Sequence, residues 1–223
     1  AAYLVPKGGD AALRAQPVAV LRASVAALAP WLAERTSVIG NWGAVKTLSV
    51  QVNRLARWHL PGLLCLGDAP ALIDTGHVKH ADDTVRRVRA ALGGRPLADI
   101  AHTHLHSDHC GGTGALQAAW PQARTWVPAL SLSPVQAWDE DALSFGGTAQ
   151  RCARFSAQHA LLPGQTVRLG ERDWQLHAAP GHDALAVLLF EPQHGVLMAG
   201  DALWEHGVGV IFPHIDGSDD FDT

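Results

Sequence analysis

Four metal-competent side chains fall within six residues at His104-Leu105-His106-Ser107-Asp108-His109, and Cys110-Gly111-Gly112 follows at once. This run constrains the fold more than any other stretch, because a hydrolytic metal site needs such groups aimed at one small volume. If residues 99–103 form a short strand, His104 and His106 stand two apart at its end and point to the same side. Both imidazoles can then grip one ion. Asp108 and His109 fall beyond the strand, face the same cavity from another direction and suit a second ion. Gly111 and Gly112 are expected to let the backbone turn tightly into a following helix. The competing reading, a solvated histidine-rich turn, suits a single His better than this ordered set.

The rest of the chain supplies the layers for such a site. Residues 47–53, 62–66 and 71–73 read as strands, and the last of these delivers Asp74 to a turn. Residues 84–92 read as a crossing helix closed by Gly93-Gly94. After the histidines, residues 114–120 read as helix, 124–127 as extended, and 134–143 as helix with Ser133 as its cap. The second half is strand-rich: 166–169 and 174–178 flank a turn at 170–173, and 185–190 and 196–199 flank another. Alternating β and α segments imply a layered α/β domain. Ahead of them, Val18, Leu21, Val25, Leu28 and Leu32 recur at helical spacing, so residues 1–45 read as an N-terminal helical extension that packs on the core, a homodimer contact being the alternative.

Composition narrows the function. With 223 residues, 48% of them apolar, the chain can bury the core of one globular domain. A net charge of -4 offers no broad basic surface, so no nucleic-acid partner is expected. No segment approaches the roughly 20 apolar residues of a membrane span. Cys65, Cys110 and Cys152 are too few and too scattered for a disulfide framework, which fits a cytoplasmic protein. Cys110, beside the histidines, is read as a packing residue rather than a ligand.

Four motifs in order carry a family resemblance: Ala71-Leu72-Ile73-Asp74-Thr75-Gly76, the His104–His109 run, Pro180-Gly181-His182-Asp183 and Ala199-Gly200-Asp201. Together they resemble the metallo-β-lactamase-fold metallo-hydrolases over about residues 48–205. The resemblance implies a four-layer αββα sandwich across residues 46–223 with metals at one edge. It implies that His104, His106 and His182 bind a first metal, while Asp108, His109 and Asp201 hold a second, with Asp201 bridging. Two zinc ions are the implied cofactors, although the same donors suit iron or manganese. A metal-activated water would then attack a carboxylic ester or lactone-like small molecule, with Asp108 orienting the water and passing a proton to the leaving group. Asp74 is expected to hold a ligand from behind, and His102 to be structural or supporting.

The family's further histidine for the second metal has no counterpart before Thr223. The domain therefore reads as C-terminally incomplete, with His206 or His214 as substitutes or a weak second site as the alternatives. Trp58, His59, Phe145 and Trp204 are candidate pocket residues. The competing functional readings are a mononuclear iron oxygenase and a non-catalytic metal-binding protein.

Overall fold

The computed structural model describes residues 62–204, together with Ala26, Ser37–Gly40, Val52–Arg54 and Gly207–Val208. Its strands are β1 (Ser37–Gly40), β2 (Val52–Arg54), β3 (Leu63–Cys65), β4 (Ala71–Ile73), β5 (Asp99–Ala101), β6 (Arg124–Pro128), β7 (His159–Leu161), β8 (Thr166–Leu169), β9 (Arg172–Ala178), β10 (Val187–Glu191), β11 (Val196–Gly200), β12 (Leu203–Trp204) and β13 (Gly207–Val208). One sheet has the order β2-β3-β4-β5-β6-β7 and the other β1-β11-β10-β9-β8, while β12 and β13 form a separate pair.

Alternation along the short strands divides the apolar residues between two cores. Leu63, Cys65, Ala71, Ile73, Ala101 and Leu161 of the first sheet meet Val167, Leu169, Trp174, Leu176, Val187, Leu189, Val196 and Met198 of the second. Their neighbours Leu64, Leu72 and Ile100 face the other way, against Val88, Leu92, Leu116 and Trp120. The helix Ala81–Leu92 turns Thr84, Val88 and Leu92 inward at four-residue steps. It begins with Asp82 and Asp83 and ends at Gly93, whose φ of 59° forms a left-handed cap. On the second sheet, every residue of β10 and β11 is buried, so its outer face is covered as well. The fold is thus an α/β sandwich with helices outside the first sheet. The extension helix expected near residues 18–32 lies outside the described residues, Ala26 excepted. β1 falls within the expected extension yet pairs in parallel with β11, so the sandwich draws on chain ahead of residue 46.

Chain direction gathers the candidate site at one edge. β4, β5, β6 and β7 are mutually parallel, and β9 and β11 are both antiparallel to β10, so they run alike. Asp74, His102, His182 and Asp201 each follow the C-terminal end of one of β4, β5, β9 and β11. The two sheets are joined at this edge, where the Val187 amide donates to the Thr103 carbonyl at 2.9 Å.

Three local expectations need correction. β5 ends at Ala101, so His104 and His106 lie on the connection beyond it and owe their common aim to that connection, not to strand alternation. Gly111 and Gly112 both adopt ordinary right-handed angles (φ -62° and -83°), so conformational freedom is not their use. A Cβ on Gly111 would lie 2.2 Å from the Val78 nitrogen, and one on Gly112 would lie 2.6 Å from the Thr75 carbonyl oxygen. Their bare backbone lets the Asp74 turn close against the histidine segment. Finally, the helix expected over 134–143 spans Leu132–Ala137 and stops where Trp138 turns left-handed (φ 55°), with no side-chain cap from Ser133. A separate turn, Phe145–Thr148, follows.

The hairpin turn between β8 and β9 consists of Gly170 and Glu171, both with positive φ, which suits a two-residue connection. It delivers Trp174 to the centre of the sandwich, fully buried, with its indole donating to the Leu169 carbonyl at 3.1 Å. Trp174→Ala should cost about 3–5 kcal/mol of unfolding free energy in urea titrations. Leu130→Ala, at a side chain 72% exposed, should change it by about 0.5 kcal/mol or less. Equal effects would contradict this placement of the core.

Candidate metal centre

The histidine segment is assembled from its backbone outward. Ser107–Cys110 forms one helical turn after the extended His106 (φ -63°, ψ 148°), and the Cys110 amide donates back to the His106 carbonyl at 3.0 Å. That turn is fastened to the Asp74 loop from the opposite side. The Thr75 amide and hydroxyl both donate to the His109 carbonyl, at 2.6 and 3.0 Å. Gly112 returns its amide to the Thr75 hydroxyl at 3.1 Å. Further along, the Gln150 side-chain oxygen accepts from the Ser107 amide at 2.6 Å.

Asp74 is the anchor. It is fully buried and takes a left-handed conformation (φ 58°), which turns the chain at the end of β4. One carboxylate oxygen accepts from the Thr103 amide at 2.9 Å. The other accepts from the Thr103 hydroxyl at 2.8 Å and lies 3.0 Å from His109 Nδ1. Thr103 Oγ1 is in turn 3.1 Å from His104 Nδ1. With their Nδ1 atoms engaged, His104 and His109 present Nε2 to the interior. His102 is buried behind them, its Nε2 3.0 Å from Thr113 Oγ1.

The second sheet closes the site. His106 Nδ1 and His182 Nε2 approach to 2.9 Å. Asp201 spans the cluster, with Oδ1 3.2 Å from His109 Nε2 and Oδ2 3.3 Å from His182 Nε2. Two sets of ligand atoms converge, each within 4.8 Å of one another: His104, His106 and His182 in one, and His104, His109 and Asp201 in the other. His104 Nε2 is buried without a hydrogen-bond partner, and His109 Nε2 and Asp201 Oδ1, though 3.2 Å apart as an ion pair, make no well-aligned hydrogen bond. Buried polar atoms that are left unsatisfied are costly, and three in one cluster fit a cation as their common partner. Nitrogen and carboxylate donors also suit zinc, iron or manganese.

The electrostatics agree with that fit. Burial, reinforced by the neighbouring imidazoles, holds the His104 pKa well below its ordinary value, so it is the neutral, ligand form at neutral pH. Burial would also depress His109, but the Asp74 and Asp201 carboxylates outweigh it and push its pKa well above the usual range. Burial opposes ionisation of Asp74 and Asp201, yet contact with His109 keeps both carboxyls below the ordinary carboxylate value. Without a metal the proton held on His109 faces these carboxylates, and a bound cation would take that proton's place.

Of the residues expected from sequence, the structure brings together His104, His106, His109, His182 and Asp201, with Asp74 behind them. Asp108 is not among the converging atoms. Its side chain is 46% exposed and its Oδ2 lies 3.8 Å from His109 Nε2, on the rim of the cluster. Cys110 is buried beside Leu105, Phe145 and Phe155, with its thiol directed at the Leu105 carbonyl. Phe145 belongs to that same apolar cluster and is itself buried. Trp58, His59, His206 and His214 lie outside the described residues, as does the side chain of Trp204. Sequence reasoning missed Thr103, which sits just before the motif between His102 and His104, and Gln150, whose 43-residue separation from Ser107 leaves no local signal.

A profile of the metallo-beta-lactamase superfamily matches residues 61–222. A hydroxyacylglutathione hydrolase of Legionella pneumophila is 28% identical over 116 residues, covering 52% of this chain and 37% of that protein. One from Anaeromyxobacter dehalogenans is 33% identical over 147 residues, covering 66% of this chain and 47% of that protein. The chain thus spans less than half the length of these curated relatives. Among solved structures, the subclass B3 metallo-beta-lactamase BJP-1 of Bradyrhizobium japonicum superposes with a TM-score of 0.55 at 18% identity, covering 65% of this chain and 55% of that one. A Cronobacter sakazakii metallo-beta-lactamase mutant gives 0.52 at 22%, covering 64% and 57%. These two likenesses concern the fold.

Gly200, the last residue of β11, has φ of 51°, and a Cβ there would lie 2.5 Å from Thr103 Oγ1. Gly200→Ala should therefore disturb the Thr103 support of Asp74 and His104 without removing a ligand, and should weaken zinc binding by about 10-fold or more. Gly164→Ala, at another positive φ with nothing within 4 Å of the added Cβ, should leave the affinity unchanged. Competition against a chromophoric chelator compares the two; equal affinities would contradict the support described.

Proposed function

The chain belongs to the metallo-β-lactamase superfamily, and from that premise we propose that it is a zinc-dependent hydrolase with a two-metal centre, acting on an acyl carbonyl of the ester, lactone or thioester class. The observation that carries this reading is the convergence of His104 Nε2, His109 Nε2 and Asp201 Oδ1, none in a well-aligned hydrogen bond, beside the His106–His182 pair. The thioester arm draws on the hydroxyacylglutathione hydrolases, which are relatives by sequence over about half of this chain.

In this reading His104, His106 and His182 would hold one ion, and His109 and Asp201 would hold the other. Zinc, when bound, supplies Lewis acidity that polarises a carbonyl and makes hydroxide available near pH ~7. The chain's own contribution is positional. His104 is neutral, so no proton competes for its Nε2. Asp74 and Thr103 hold His104 and His109 in fixed orientation, which keeps the donors preorganised. Asp108, half exposed at the rim, would take a proton from the attacking water and return it to the departing alkoxide or thiolate.

Metal-reconstituted protein, including any native sequence beyond these 223 residues, should hydrolyse at least one of an aryl ester, a lactone and an acyl-glutathione thioester. Chelation should abolish turnover and zinc restore it. Asp108→Ala should lower kcat by about 100-fold or more. Retained turnover in Asp108→Ala contradicts the assigned role, and bound iron with oxygen consumption in place of hydrolysis contradicts the reaction class.

A further inference from the structure

The loop that carries His182 has a second acidic group whose two oxygens face different partners. Asp183 Oδ1 accepts from the Leu185 amide at 2.7 Å. The Asp183 carbonyl lies 3.3 Å from the amides of Gly181 and Ala186, and the Ala179 amide donates to the Ala186 carbonyl at 2.8 Å. These bonds close the connection between β9 and β10 and fix the carboxylate. Its other oxygen, Oδ2, lies 3.6 Å from His106 Nε2. The other ring nitrogen, Nδ1, is the one that faces His182.

We propose that Asp183 is a positioning residue that fixes the tautomer of His106, keeping the proton on Nε2 so that Nδ1 presents its lone pair to the metal. A neutral imidazole carries one ring proton, and a carboxylate can only accept. A carboxylate beside Nε2 therefore favours the tautomer protonated there, as an outer carboxylate does for many metal-bound histidines. At 3.6 Å the separation is longer than a direct hydrogen bond, so the carboxylate acts on the ring electrostatically. The dipeptide His182-Asp183 thus supplies one ligand and orients a neighbouring one from a single closed loop. This inference rests on His106 being a metal ligand.

Asp183→Asn separates this role from simple loop architecture. The Asn side-chain oxygen can still accept from the Leu185 amide, which turns its NH2 group towards His106 Nε2. A donor there demands an acceptor, so the ring should shift its proton to Nδ1 and lose its inward lone pair. Nitrogen-15 NMR of the metal-free wild-type protein should show His106 protonated on Nε2, a reading that needs no variant. In Asp183→Asn the proton should move to Nδ1, zinc affinity by chelator competition should fall about 10–100-fold, and the metal-free Tm should be unchanged.

A wild-type His106 protonated on Nδ1 overturns the proposal. So does an Asp183→Asn affinity within about twofold of wild type. Failure of the wild-type protein to bind zinc at all would instead overturn the metal-centre reading on which the proposal rests. Where the wild type binds zinc, an unchanged His106 tautomer in Asp183→Asn, accompanied by weaker binding and a lower Tm, would assign Asp183 to loop architecture alone and overturn the proposal.

Discussion

The Asp74 carboxylate is the interaction on which the arrangement at this edge depends. It sits at the end of β4 in a backbone conformation that few L-residues adopt, fully buried, and its two oxygens hold the Thr103 amide, the Thr103 hydroxyl and His109 Nδ1. A buried carboxylate is costly unless its lone pairs are occupied, and here strongly polar partners occupy them. Through Thr103 the same group reaches His104, and through the Thr75 contacts the loop carries the backbone of His109. Gly111 and Gly112 permit this because no Cβ keeps the two segments apart.

The second sheet contributes His182 and Asp201 by the same device, a strand ending at a common edge. Val187 ties the β10 end of that sheet to Thr103, and Gly200 leaves room for the Thr103 hydroxyl. The result is a cluster whose polar atoms are not fully satisfied internally: four converging imidazoles and a carboxylate, with a further carboxylate behind, and three buried atoms without a well-formed hydrogen bond. A cation satisfies those atoms more economically than any rearrangement of the side chains.

Much of this was legible in the sequence. The β4 and β11 segments read as short apolar runs because they are buried throughout, while β8 and the Ala81–Leu92 helix read by the period of their buried face. The spacing within the His104–His109 run also pointed to a clustered site. Strand alternation does not account for that clustering, since β5 ends at Ala101 and the histidines are aimed by the connection and by Asp74. Glycine at 111 and 112 has two physical uses, unusual φ or close approach, and sequence alone does not distinguish them. The stop at Trp138 was unreadable because tryptophan seldom takes a left-handed angle. Gln150 and Thr103 act through tertiary contacts that no local pattern encodes.

The central claim is that these residues form a metal centre, and anomalous diffraction at the zinc edge from zinc-loaded crystals tests it most directly. The account predicts an ion bonded to His104 Nε2, His106 Nδ1 and His182 Nε2 at roughly 2.0–2.1 Å, with further density beside His109 and Asp201. Zinc bound elsewhere, with His104 Nε2 still unligated, would contradict it.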